Sequence, residues 1–133
     1  MSGHLVESFE VLTTLLAQRI VTASTGNSNT VVYPPSTTAL PIGVTTDTVL
    51  DTTGSIPVQM NGLAYVFFND TVNTGELVAS DASGRGILFA LAMTSTTISR
   101  PAAYLGVLCG EVVSVTGGIS VVAIHPGFDR AAT

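Results

Sequence analysis

Pro41-Ile42-Gly43-Val44 and, 63 positions later, Tyr104-Leu105-Gly106-Val107 are the stretches that decide the fold. Each sets a glycine inside an apolar run, and 11 residues beyond each glycine stands another, Gly54 or Gly117. Two alternating apolar runs follow, Ile56-Val58-Met60 and Ile119-Val121-Ala123. Upstream, Ile20-Val21 and Leu77-Val78 match at an offset of 57, so the second half holds six extra residues (63 minus 57) between Ser83 and Pro101. Period-2 alternation bounded by glycine turns reads as short β-strands, and self-similarity at a long spacing reads as a repeated β unit. Glycine weakens a strand interior, so Gly43 and Gly106 mark a bulge or a close backbone approach.

Working outward, Phe9-Glu10-Val11 opens the first unit, and Leu15-Leu16-Ala17-Gln18 is a turn into a strand over Arg19–Ala23. Thr25-Gly26-Asn27-Ser28-Asn29 turns the chain into Thr30–Tyr33. Pro34-Pro35-Ser36 must be a loop, because proline has no ladder donor. Asn61-Gly62 separates the units, and Ala64–Phe68 opens the second. Glu76–Ser80, a turn at Asp81–Gly84, and Gly86–Ala90 follow. Met93–Arg100 is a polar loop; Tyr104–Val107, Glu111–Val115 and Ile119–Ile124 are strands, and Pro126-Gly127 ends the structure. The expectation is an all-β fold, a small barrel or sandwich of about eleven short antiparallel strands. It divides into an extended N-terminal arm (1–8), a single β domain (9–126; first repeat 9–60, second 64–124) and a tail (127–133).

Composition agrees. Only 10% of the 133 residues are charged, against roughly 25% in ordinary soluble chains. Mean hydropathy is +0.54, yet the longest uncharged apolar run, Ile87–Met93, is of strand length and far below the ~18 residues of a membrane span. Two readings of so uncharged a surface stand side by side. Either it is covered by other chains, since oligomer cores are depleted in charge, or threonine and serine hydroxyls keep an ordinary β-domain in solution.

The chain has no lysine, which removes the phosphate-loop lysine and Schiff-base chemistry. Arg19, Arg85, Arg100 and Arg130 are scattered, and the net charge is −5. Nucleic-acid binding depends on neutralising phosphates, so no such partner is expected. Nor is a membrane. Cys109 cannot form an intrachain disulfide and reads as a buried, inert thiol. The N-terminus has no basic segment followed by an apolar stretch, which points to synthesis in a cytoplasm. There the Asn69-Asp70-Thr71 sequon has no glycosylation role.

Neither His4 nor His125 has a partner at ligand spacing, so no metal or other cofactor is expected. Ser80, Asp81 and His125 could be assembled into a hydrolytic set only on paper, because 12 serines make such a trio a matter of chance and no nucleophile elbow is present. Asp81-Ala82-Ser83-Gly84-Arg85-Gly86 reads as a hairpin turn, lacking the lysine and following helix of a phosphate loop. Asp47 and Asp51 are solvated loop acids. Nothing points to an enzyme.

One family is similar. Gly75-Glu76-Leu77-Val78-Ala79-Ser80-Asp81-Ala82-Ser83-Gly84-Arg85, then Ala102-Ala103-Tyr104-Leu105-Gly106-Val107, then Gly117-Gly118-Ile119-Ser120-Val121-Val122 resemble the capsid decoration, or cement, proteins of tailed bacteriophages. Arg19-Ile20-Val21 and Pro41-Ile42-Gly43-Val44 repeat the plan in the first half, and the resemblance covers residues 9–126. It implies a homo-trimer on the outer surface of an icosahedral head, bound to the major capsid protein and stapling its subunits together. The alternative is a surface module that binds a host carbohydrate or protein receptor. The arm supplies the expected capsid contacts His4, Leu5, Val6 and Phe9, so deleting residues 2–8 should abolish capsid binding without unfolding the domain.

Overall fold

The computed structural model describes residues 5–36, 39–49, 54–89, 102–111 and 117–129 of the chain. Ten strands lie among them: β1 (Val6–Val11), β2 (Ile20–Ala23), β3 (Thr30–Val32), β4 (Pro41–Thr45), β5 (Ser55–Gln59), β6 (Leu63–Phe67), β7 (Leu77–Ser80), β8 (Gly86–Leu88), β9 (Ala102–Leu108) and β10 (Ile119–Asp129). The fold is all-β. The first five strands close into a barrel in the order β1-β3-β2-β4-β5, and the rest form a sheet in the order β6-β10-β9-β7-β8. Read from its first strand, each unit runs through its fifth, fourth, second and third strands in turn.

Closure differs between the units. In the barrel β3 lies beside β1 in parallel, with Glu10 opposite Thr30 and Val11 opposite Val31; the pairing is therefore not wholly antiparallel, as the sequence suggested. Among the described residues of the second unit a single parallel bridge joins Phe68 to Gly86. The Asn69 backbone N–H donates to the Gly86 carbonyl at 2.9 Å, and the Asp70 carboxylate accepts the Leu88 N–H at 3.1 Å. A side-chain acceptor thus stands in for a missing backbone partner, which keeps the Leu88 donor satisfied.

The strands shared by the two units explain the apolar runs. In β2, Val21 faces the barrel core with Val11, Leu15, Val31, Ile56 and Val58. Ile20 faces the other way, into the cluster of Val44, Val66, Phe68, Val78, Leu105 and Val122. A strand buried on both faces reads as a continuous apolar run. The seam is hydrogen-bonded as well: Ile20 N–H donates to the Gly84 carbonyl at 2.7 Å, and Phe67 N–H to the Gln18 carbonyl at 2.9 Å. Gln18, with φ 61, occupies the place that Gly75, with φ 91, holds in the second unit. The left-handed backbone costs a side-chain-bearing residue roughly 1 kcal/mol. Here it is held by the Gln18 N–H donating to the Thr45 carbonyl at 2.8 Å as well as by the bond from Phe67.

Four expectations are corrected. The segment assigned to a free arm already belongs to the barrel, since β1 begins at Val6 and pairs with β5 from Val6 opposite Gln59 to Glu10 opposite Ser55. Just before it, the Leu5 carbonyl accepts the Met60 N–H at 2.8 Å. The tail expected from residue 127 is instead the end of β10, which skips register between Ile124 and Gly127 so that Pro126 falls where no ladder donor is required. The last apolar runs align one residue away from the expected match: Phe9 faces Ile56, and its counterpart 57 positions on, Val66, faces Ser120. Such a slip reverses every side chain, and Ile119 is accordingly 50% exposed while Val122 is fully buried. Finally, Cys109 is exposed, because it follows the last residue of β9 at the sheet margin. The loop Met93–Arg100, Asp51, and Val112–Val115 of the expected strand lie outside the described residues.

Removing residues 2–8 should therefore weaken the barrel and not merely strip a contact. Three of the five β1–β5 residue pairs go with them, for an expected loss of about 2–3 kcal/mol at roughly 1 kcal/mol per net hydrogen bond. Urea unfolding of the truncated chain beside the full chain measures it.

Candidate functional surface

The residues expected to form a contact site do not stay together. Leu5 and Val6 are about half exposed, whereas Phe9 packs partly buried against the barrel core. His4 lies outside the described residues. Phe9 is thus a core contributor, because the period-2 alternation that exposes Ser8 and Glu10 turns Phe9 inward with Val11.

The groups considered for chemistry are engaged structurally. Asp81 accepts the N–H groups of Ser83 and Arg85, both at 2.9 Å, and pairs with the Arg85 guanidinium at 2.8 Å. The Asn69 amide approaches the same carboxylate at 3.3 Å. Ser80 donates its hydroxyl to the Asp81 carbonyl at 2.8 Å. The hairpin turn so fixed latches the two units together, since Gly84 presents no Cβ to the Ile20 carbonyl and the Tyr33 ring, and Arg19 reaches the Ser83 carbonyl at 3.1 Å. His125 is exposed on β10. Among the described residues no three His, Cys, Asp or Glu side chains gather as metal ligands. A cleft of about 570 Å³ on the barrel, lined by Thr22, Val32, Pro35, Leu40 and Ile42 among others, has no titratable group in its wall.

What stands out is a surface that the sequence reading missed. On the outer side of the β6–β10 pair, Leu63 lies opposite Ala123, Tyr65 opposite Val121, and Phe67 opposite Ile119. Their strand neighbours Ala64, Val66, Ser120 and Val122 are buried. Tyr65 is 62% exposed, Leu63 54% and Ile119 50%. The Arg19 guanidinium lies over the Phe67 ring, 4.7 Å from its centroid, an arrangement favoured by the ring quadrupole. At the other end, the Gln59 amide donates to the carbonyls of Asn61 and Leu63 at 2.8 Å each. The Leu5 N–H is held by the Asn61 side chain, which ties the start of the chain to the turn before β6. The signal was in the sequence: Leu63, Tyr65 and Phe67 alternate with equally apolar partners, so both faces of β6 are apolar.

No family model matches the chain, and no curated protein does. Among solved structures, it is similar to the crystal structure of the head fiber gp8.5 N base in bacteriophage phi29. The TM-score is 0.65 at 14% sequence identity, covering 92% of this chain and 94% of that one. The likeness is one of fold, and it spans both units.

Proposed function

We propose that this chain is a structural protein of a phage virion. It sits on the outer surface of the head, binds the major capsid protein and braces contacts between neighbouring capsid subunits. The observation that carries this reading is the fold likeness, over nearly the whole of both chains, to a protein described as a head fiber base. The resemblance of the Gly-Glu-Leu-Val and Gly-Val strands to capsid cement proteins points the same way. So does the charge balance: an acidic, lysine-free chain suits a position outside the shell, away from the packaged genome. The two units are read as a divergent duplicate, and the assembled state as a homo-trimer made in the host cytoplasm. A protein that binds only the assembled shell stabilises it by mass action, and repetition by symmetry multiplies weak contacts into avidity.

The test is co-sedimentation of the purified protein with expanded shells of the major capsid protein from the same genome, counting copies per shell. Saturation at a fixed, symmetry-compatible ratio is expected. Absence of binding would overturn the reading and bring forward the alternative, a surface module for a host carbohydrate or protein receptor.

A further inference from the structure

Gln59 ends the first unit and Leu63 begins the second, so Met60, Asn61 and Gly62 are all that joins them. The joint is bonded on its carbonyl side. The Asn61 carbonyl accepts the Gln59 side-chain amide at 2.8 Å, and the Gly62 carbonyl accepts the Ile124 N–H at 2.9 Å. The donors of the same two residues are free. Among the described residues, no acceptor takes the Gly62 N–H or the Asn61 amide nitrogen. Asn61 is exposed, and its side-chain oxygen accepts the Leu5 N–H. No other asparagine combines these features. Asn27, Asn29, Asn69 and Asn73 are followed by Ser28, Thr30, Asp70 and Thr74, whose side chains crowd the next nitrogen. The Asn27 and Asn69 amides are also held, by Ser24 at 3.2 Å and Asp81 at 3.3 Å.

We propose that Asn61 is a site of covalent self-modification, at which the folded chain converts its side-chain amide to a carboxylate. The Gly62 nitrogen, with no Cβ beside it, bonds to Asn61 Cγ and gives up its proton. The bond from Cγ to Nδ2 breaks, and the amide leaves with that proton as ammonia. Negative charge develops on the Asn61 side-chain oxygen during the attack, where the Leu5 N–H already donates. A donor aimed at such an oxygen stabilises the transition state. One water then opens the cyclic imide, its hydroxyl adding to a carbonyl carbon and its hydrogen returning to the Gly62 nitrogen. No oxidant or reductant is needed. Opening at Cγ leaves an aspartate, whose carboxylate accepts the Leu5 N–H in a charge-assisted bond. Opening at the main-chain carbonyl leaves an isoaspartate, which lengthens the chain ahead of Gly62 by a methylene. That length pushes Leu63 from its place opposite Ala123, at the start of the β6–β10 ladder. Head attachment plays no part in the step, so failure to bind shells would leave it standing.

The test holds the native protein for days in mildly alkaline buffer at physiological temperature, then maps its peptides by mass spectrometry. One ammonia should be lost per chain, at Asn61, while the other four asparagines keep their amides. Asn61→Gln should release none over the same time. An Asn61 that stays intact in the native chain but reacts in the urea-unfolded chain would overturn the inference, because the fold would then be protecting it. Equal loss at the other asparagines would overturn it too. The aged protein should also unfold at lower urea than Asn61→Asp, which carries the added charge without the added methylene. Equal midpoints would overturn the consequence drawn for the joint.

Discussion

Gly106→Ala should cost about 4 kcal/mol of stability, beyond the ~1–3 kcal/mol of ordinary overpacking. A Cβ built on Gly106 falls inside the Ala123 carbonyl oxygen and lies 3.0 Å from the His125 nitrogen. Those atoms are backbone of the paired strand, so no side-chain rotation relieves the clash, and β9 and β10 must separate where Gly106 faces Ile124. Against a total of roughly 5–15 kcal/mol for a domain, that loss would lower the melting temperature by roughly 10–20 °C. Gly43 repeats the geometry against the Gln59 carbonyl and should respond alike. Gly26→Ala is the control. Its φ is 83, with nothing within 4 Å of the added Cβ, so it should cost only about 1 kcal/mol for the left-handed backbone. Thermal denaturation of the three variants separates close approach from backbone preference. Equal losses at Gly26 and Gly106 would refute the packing account.

The second large effect is expected at Phe68, the largest fully buried side chain. It joins the core that welds the barrel to the second sheet, beside Ile20 and Val44 from one and Val78 and Val122 from the other. Phe68→Ala should cost about 3–5 kcal/mol through lost burial and a cavity that rigid strands cannot collapse to fill. Gly86 supplies the diagnostic partner. A Cβ there would lie 2.6 Å from the Phe68 ring, so Gly86→Ala alone should be destabilising by about 2 kcal/mol. With Phe68→Ala already present, the same methyl enters vacated space and should cost little. A double-mutant cycle in urea would show that coupling; strictly additive losses would mean that the ring and Gly86 do not share the site.

Much of this could be read from the residues. Gly43 and Gly106, each inside an apolar run, announced the tightest backbone approaches, and both are where a Cβ meets carbonyl oxygen. The turn at Asp81–Gly84 was legible because aspartate and glycine do local work there: a carboxylate accepting two nearby amides, and a left-handed residue. The face of Leu63, Tyr65 and Phe67 was not legible as a surface. Its strand is apolar on both sides, and alternation cannot say which side meets the core.

The sequence alone determined an all-β chain of short strands in two units, since glycine spacing, β-branched composition and period-2 runs act within a few residues of each other. Tertiary structure alone decided orientation and membership. It placed Ser120 and Val122 inward and Ile119 and Val121 outward, drew Leu5–Ser8 into the barrel's edge, and carried β10 past Pro126 to Asp129. Where neighbouring residues are alike in polarity, the hydrogen-bond register with a distant strand, Val66 against Ser120, selects the buried face. At the two ends of the chain it is the pairing itself, Val6 against Gln59 and Gly127 against Tyr104, that decides membership.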